Sequence, residues 1–114
     1  MKKQLIEDKT FKTHCLFISN CTEQEFLDYI NKRCKTNYKA GGASGKAVYY
    51  EDDKHLFCFI WVNDNKNYTT LAHEILHLIR FWLQDYYGIN LNEQTEEIYT
   101  MLHSFYFKKI YKKL

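Results

Sequence analysis

The sequence predicts an α+β domain: a short β-sheet packed on helices, with one central helix and another at the C-terminal end. Three observations carry this. A run rich in β-formers at 11–19 and one apolar on both alternating faces at 55–62 read as strands, two later segments repeat apolar residues at helical spacing, and the resulting order, roughly β-α-β-β-α-α, is that of an α+β domain. At 114 residues the chain is one domain, 1–114, and 46% hydrophobic residues with an 18% aromatic share are enough to bury a core.

The first strand is read at 11–19 (FKTHCLFIS), after which an amphipathic run from Cys21 to about Cys34 places Phe26, Leu27 and Ile30 on one helical face. Residues 39–46 (KAGGASGK) form a glycine-rich, flexible connector. They lack the GxxxxGK[ST] pattern and lead into a strand at 47–51, so a phosphate loop is not expected. A turn at 51–54 precedes 55–62 (HLFCFIWV), apolar at every alternation, as a strand covered on both faces would be. Residues 63–67 (NDNKN) end that strand. The next helix runs from about Thr69 to Tyr87, with Thr69 or Thr70 as N-cap and Gly88 at the C-terminal stop. Its apolar positions reach most of the way round, which makes it the central helix. A last helix starts near Asn92 and carries Ile98, Met101, Leu102 and Phe105 on one face, completing the order β-α-β-β-α-α.

Charge and composition exclude several functions. The net charge is only +2, and the excess sits largely in Lys2-Lys3, Lys108-Lys109 and Lys112-Lys113. Basic residues ending a helix complement its dipole, and with no RNA- or DNA-binding signature beside them no nucleic-acid partner is expected. Glu7, Asp8 and Lys9 stand where the apolar part of a signal peptide would run, and no stretch approaches a membrane span. A cytoplasmic protein without a membrane partner is the expectation. Cys15, Cys21, Cys34 and Cys58 have irregular spacing and no C-x-x-C pair, so they are read as reduced thiols in or near the core. His14 and His55 are read as structural. Nothing in the sequence specifies an oligomeric state.

The chemistry concentrates in His73-Glu74-Ile75-Leu76-His77, an H-E-x-x-H pattern. Residues four apart on a helix project from one face, so two imidazoles can meet a single zinc ion while Glu74 stands beside them within reach of a metal-bound water. Zinc brings the pKa of such a water to about 7, and a nearby carboxylate can take its proton as it attacks a carbonyl. No charged residue other than Glu74 interrupts the chain between Thr69 and Ile79, and an apolar strand precedes the motif.

On this motif the second half of the chain, from residue 55 onward, resembles the zincin metallopeptidases. In size it is similar to the minimal zincin-like proteins of phages and mobile elements. The resemblance implies a zinc-dependent hydrolysis of peptide bonds, with His73 and His77 as metal ligands and Glu74 as the general base. It also implies a peptide or protein substrate bound along a strand, the role given to part of 55–62. A non-catalytic zincin-like module that grips a peptide without cutting it is the alternative.

Catalytic zinc usually takes a third protein ligand. No His-x-x-Gly-x-x-His continuation follows His77, which favours a carboxylate on the next helix, as in the gluzincin branch. Glu93, Glu96 and Glu97 are the candidates. Asn92-Glu93 resembles the Asn-Glu of thermolysin-like enzymes, but Glu97 has the matching distance of twenty residues from His77 and borders the expected face of Ile98, Met101 and Phe105. Glu97 is therefore the expected third ligand, with Glu93 second and Glu96 pointing away. Carboxylates in a first helical turn are also favoured by the dipole alone. Tyr99, His103 and Tyr106 are candidates for a transition-state donor.

Overall fold

The computed structural model describes residues 1–53, 56–63 and 67–114. His55, the end of the turn expected at 51–54 and most of the expected strand stop at 63–67 lie outside the described residues.

Four strands, β1 (Lys2–Asp8), β2 (Thr13–Ser19), β3 (Gly45–Glu51) and β4 (Leu56–Val62), form one mixed sheet in the order β1-β2-β4-β3. β1 with β2 and β3 with β4 are antiparallel neighbours, and the two pairs are joined by a short parallel seam, Leu16–Ile18 against Phe59–Trp61. Side chains alternate across the pleat, so β2 and β4, interior to the sheet, need apolar residues on both faces. Cys15, Phe17, Cys58, Ile60 and Val62 face one core, and Ile18, Phe59 and Trp61 face the other. The expectation of a strand covered on both sides is met by β4.

Helix α1 (Glu23–Cys34) covers the second face with Phe26, Leu27, Ile30 and Cys34. Its start is fixed by a capping box: Thr22 Oγ1 accepts from Glu25 N at 3.1 Å, and Glu25 Oε1 accepts from Thr22 N at 3.0 Å. Helices α2 (Tyr68–Arg80) and α3 (Glu96–Tyr111) cover the first face. The architecture is thus α+β in three layers. No described helix is long and apolar enough to cross a membrane.

Strand β1 was not expected. Its sequence, KKQLIED, places only Ile6 and Asp8 in the interior, so no alternating apolar signal is visible; the charges suit a strand at the sheet edge. Asp8 Oδ2 accepts from Phe11 N at 2.8 Å and turns the chain into β2.

Two helix starts differ from expectation. Asn67, rather than Thr69 or Thr70, caps α2, its Oδ1 accepting from Thr70 N at 3.1 Å. Asn92 does not open α3: its Oδ1 accepts from Gln94 N and Thr95 N in a local turn, and the helix begins at Glu96. From Arg80 the chain passes directly into a π-helical segment, Phe81–Tyr86, which carries Phe81, Trp82 and Leu83 into the core before Gly88 ends it at φ 71°.

On α3, Leu102 is buried and Ile98 and Phe105 pack against the core as expected, but Met101 does not join them. Tyr99, Leu102, Tyr106 and Ile110 are buried, while Met101 is 52% exposed. Tyrosine enters a core when its hydroxyl finds a partner. Tyr106 Oη lies 2.8 Å from Thr13 Oγ1, both buried, and Tyr99 Oη donates to Ile89 O.

All four cysteines are buried. Burial pushes the Cys15 thiol up to about 12 and that of Cys58 upward as well, so both act as small apolar side chains. His14 Nε2 lies 3.3 Å from Leu56 O, and its ring stands edge-on to Trp82.

Candidate metal centre

Helix α2 turns Leu71, Ile75, Leu78 and Ile79 into the core, and its 3.6-residue period leaves His73 and His77 on the opposite, exposed side. One turn apart, their Nε2 atoms converge to 3.1 Å with the rings inclined at 77°. Glu74, one position round, is 8% exposed and packs towards the first residue of β3.

That residue is Gly45. A Cβ placed there would stand 2.6 Å from Thr70 Cγ2, 3.0 Å from Val62 Cγ1 and 3.1 Å from Glu74 Cγ. The absent side chain lets β3 run close beneath α2 and gives Glu74 its seat. The glycine-rich segment thus contributes to the site through packing, which its reading as a connector did not foresee.

The third ligand is not brought to the pair. Glu93, Glu96 and Glu97 are all exposed, and among the described residues no group of three or more His, Cys, Asp or Glu is placed to hold a metal ion. Glu97 stands one turn before the exposed Met101, because the buried face of α3 is that of Tyr99 and Leu102. Glu96, expected to point away, lines a groove between α2 and α3 together with Leu76 and His103. The donor candidates are engaged elsewhere: Tyr106 in the core, Tyr99 on Ile89, and His103 with Nε2 3.1 Å from Ala72 O.

The strand expected to hold a peptide is interior to the sheet. β4 is flanked by β2 and β3, so its edges are occupied, whereas β3 among the described strands pairs only with β4 and keeps one edge open. A cavity of about 500 Å³ follows that edge, lined on one side by Glu74 and His77 and on the other by Leu27, Tyr38 and Val48.

Tyr38 belongs to the segment 36–44 that joins α1 to β3, and two side chains of α1 tie this segment down. Asn31 Nδ2 donates to Tyr38 O and Asn31 Oδ1 accepts from Tyr38 N, both at 2.8 Å. Glu23 Oε1 accepts from the backbone N–H groups of Gly41, Gly42 and Ala43 at 3.2, 2.8 and 3.2 Å, and Lys46 Nζ lies 3.6 Å from its Oε2. Desolvation acts to raise the Glu23 pKa, but the three N–H donors and Lys46 outweigh it and hold the carboxyl below its ordinary value. The expected flexible connector is therefore an anchored strap, and its nest of N–H groups is filled by the protein's own carboxylate.

Two zinc-bound imidazole nitrogens, each about 2.0–2.1 Å from the ion at a tetrahedral angle, stand about 3.3 Å apart. The 3.1 Å between His73 and His77 is close to that span, so the pair fits two corners of such a site with only a small opening. Comparison with known protein families, characterised proteins and solved structures finds no match to this chain.

Proposed function

We propose that the chain is a zinc-dependent peptide hydrolase. The observation that carries the reading is the convergence of His73 and His77 on the exposed side of α2, with Glu74 between them and the open edge of β3. When bound, zinc supplies an acidified water and an electrophile for the carbonyl. The chain's residues do the rest. His73 and His77 hold the ion through Nε2. Glu74, seated against Gly45, takes the proton of the attacking water and returns it to the leaving amine. The open edge of β3 aligns an extended peptide by main-chain hydrogen bonds, bringing its backbone past Glu74.

Glu97 was expected as third ligand on spacing. Glu96 has the stronger placement, since it lines the α2–α3 groove beside Leu76, and either carboxylate needs a shift of the α3 start to join the pair. That requirement also favours a second reading, a zincin-like module that holds a peptide along β3 without cutting it.

One experiment separates the two. In Glu74→Gln, bound zinc should stay near one equivalent while hydrolysis of a broad peptide library falls by about two to four orders of magnitude. His77→Ala should lose most of the zinc, and among the Gln variants of Glu93, Glu96 and Glu97, the one at Glu96 should weaken metal affinity most. Wild type that carries zinc, binds peptides and cleaves none would establish the binding module. Undiminished zinc in His77→Ala would remove the metal site altogether.

A further inference from the structure

We propose that Tyr38 is a specificity-determining residue of the β3 groove, and that the groove selects extended peptides with a large apolar or aromatic side chain next to the position aligned with Glu74. The inference rests on the reading of β3 as the peptide-binding edge.

The geometry supports a side-chain subsite there. In an extended peptide laid along β3, successive side chains point to opposite faces of the sheet. Those on the α2 side meet Glu74 and His77, and their neighbours, one residue on, enter the part of the cavity bounded by Leu27, Tyr38 and Val48. Leu27 is fully buried and Val48 packs on the α1-side core, so the floor there is apolar. Tyr38 lines the other side, 42% exposed, on a backbone fixed in both directions by the Asn31 amide. With that main chain already held, the strap needs little further ordering when a peptide arrives. Of the charged groups at this end, Lys46 Nζ lies 3.6 Å from Glu23 Oε2, so the two largely offset each other.

Replacement of Tyr38 should therefore change which peptides are used, read as a KM difference between apolar and small side chains at one position. The test compares wild type, Tyr38→Phe and Tyr38→Ala, each loaded with zinc, on a peptide library in which every position varies among Ala, Asp, Lys, Leu and Phe, with cleavage sites mapped by mass spectrometry. Binding of the same library to the Glu74→Gln form provides a second readout. Wild type should prefer Phe or Leu over Ala by about tenfold or more at one position beside the cleaved bond. Tyr38→Phe should keep that preference. Tyr38→Ala should reduce it to a few-fold, through a rise in KM for the Phe and Leu peptides larger than any change for the Ala peptides. Cleavage with no apolar preference, or with a preference that Tyr38→Ala leaves intact, overturns the subsite while the hydrolase stands. A zinc-loaded wild type that neither binds nor cleaves any member overturns both.

Discussion

Gly45→Ala is the substitution whose outcome follows most directly from the structure. Gly45 lies in a strand and does not have a left-handed φ, so alanine meets no backbone penalty there; at a compatible site this exchange stabilises by about 0.4–1 kcal/mol through the unfolded chain. Sterics reverse the sign. Carbon atoms pack best at about 3.5–4.0 Å, and the new methyl would be 2.6 Å from Thr70 Cγ2, with Val62 and Glu74 at 3.0 and 3.1 Å. Three partners on two elements cannot all yield by rotamer changes, so β3 and α2 must separate. Overpacking of this kind costs about 1–3 kcal/mol, which leaves a net loss of about 1–2 kcal/mol and a fall in Tm on the order of 5–10 °C. Thermal unfolding followed by circular dichroism measures it, and a double-mutant cycle identifies the cause. Thr70→Ser removes the methyl with the shortest contact, so Gly45→Ala combined with Thr70→Ser should recover about half the loss. Gly45→Ala that is neutral or stabilising, or a cycle with no coupling, would refute the argument that this glycine exists for the close approach.

Two further outcomes follow from titrating groups. Because the Glu23 carboxyl is held below its ordinary value in the folded chain, its contribution to stability is complete above the unfolded pKa of about 4.3 and is lost as pH falls through the lower folded value; Glu23→Gln should flatten the acid limb of a pH–stability curve, and an unchanged limb would mean that the strap anchor contributes nothing. The Cys15 and Cys58 thiols, raised by burial, stabilise the fold most below about pH 8.5, where both states are protonated, and less as pH rises towards the folded values. At pH 8 they should resist iodoacetamide in the native protein and react fully in denaturant, as read by mass spectrometry; alkylation at the native rate of a small-molecule thiol would contradict their burial.

Much of this architecture is legible in the sequence because it is written in periodicity. The α1 and α2 stripes and the doubly apolar β4 follow from spacing alone, and the meeting of His73 with His77 follows from the 3.6-residue turn. Features that depend on partners distant in sequence are less visible. β1 carries one apolar residue in the core and is recognisable as a strand only through its pairing with β2. The core side of α3 includes Tyr99 and Tyr106, whose hydroxyls need Ile89 and Thr13, and that distant matching is not visible in the apolar spacing that led to Met101 being placed inward. The resemblance implies a peptide along part of 55–62, whereas sheet order, which no local pattern encodes, puts β4 inside and β3 at the rim. Gly45 is visible as a glycine, but its reason lies on α2.

The short parallel seam has a consequence for how the chain reaches this structure. Each antiparallel pair joins neighbours in sequence, Glu51 pairing with Leu56 only five positions on, whereas Leu16 and Phe59 have α1, the strap and β3 between them. Loop closure adds about 0.6 kcal/mol for each doubling of the intervening chain, so joining the two hairpins demands about 2 kcal/mol more entropy than closing either one. Folding therefore divides into two quick local events and one slower encounter, and the rate of the whole is governed by how well Ile18, Phe59 and Trp61 find α1 on one side of the seam while Phe17 and Ile60 find α2 and α3 on the other.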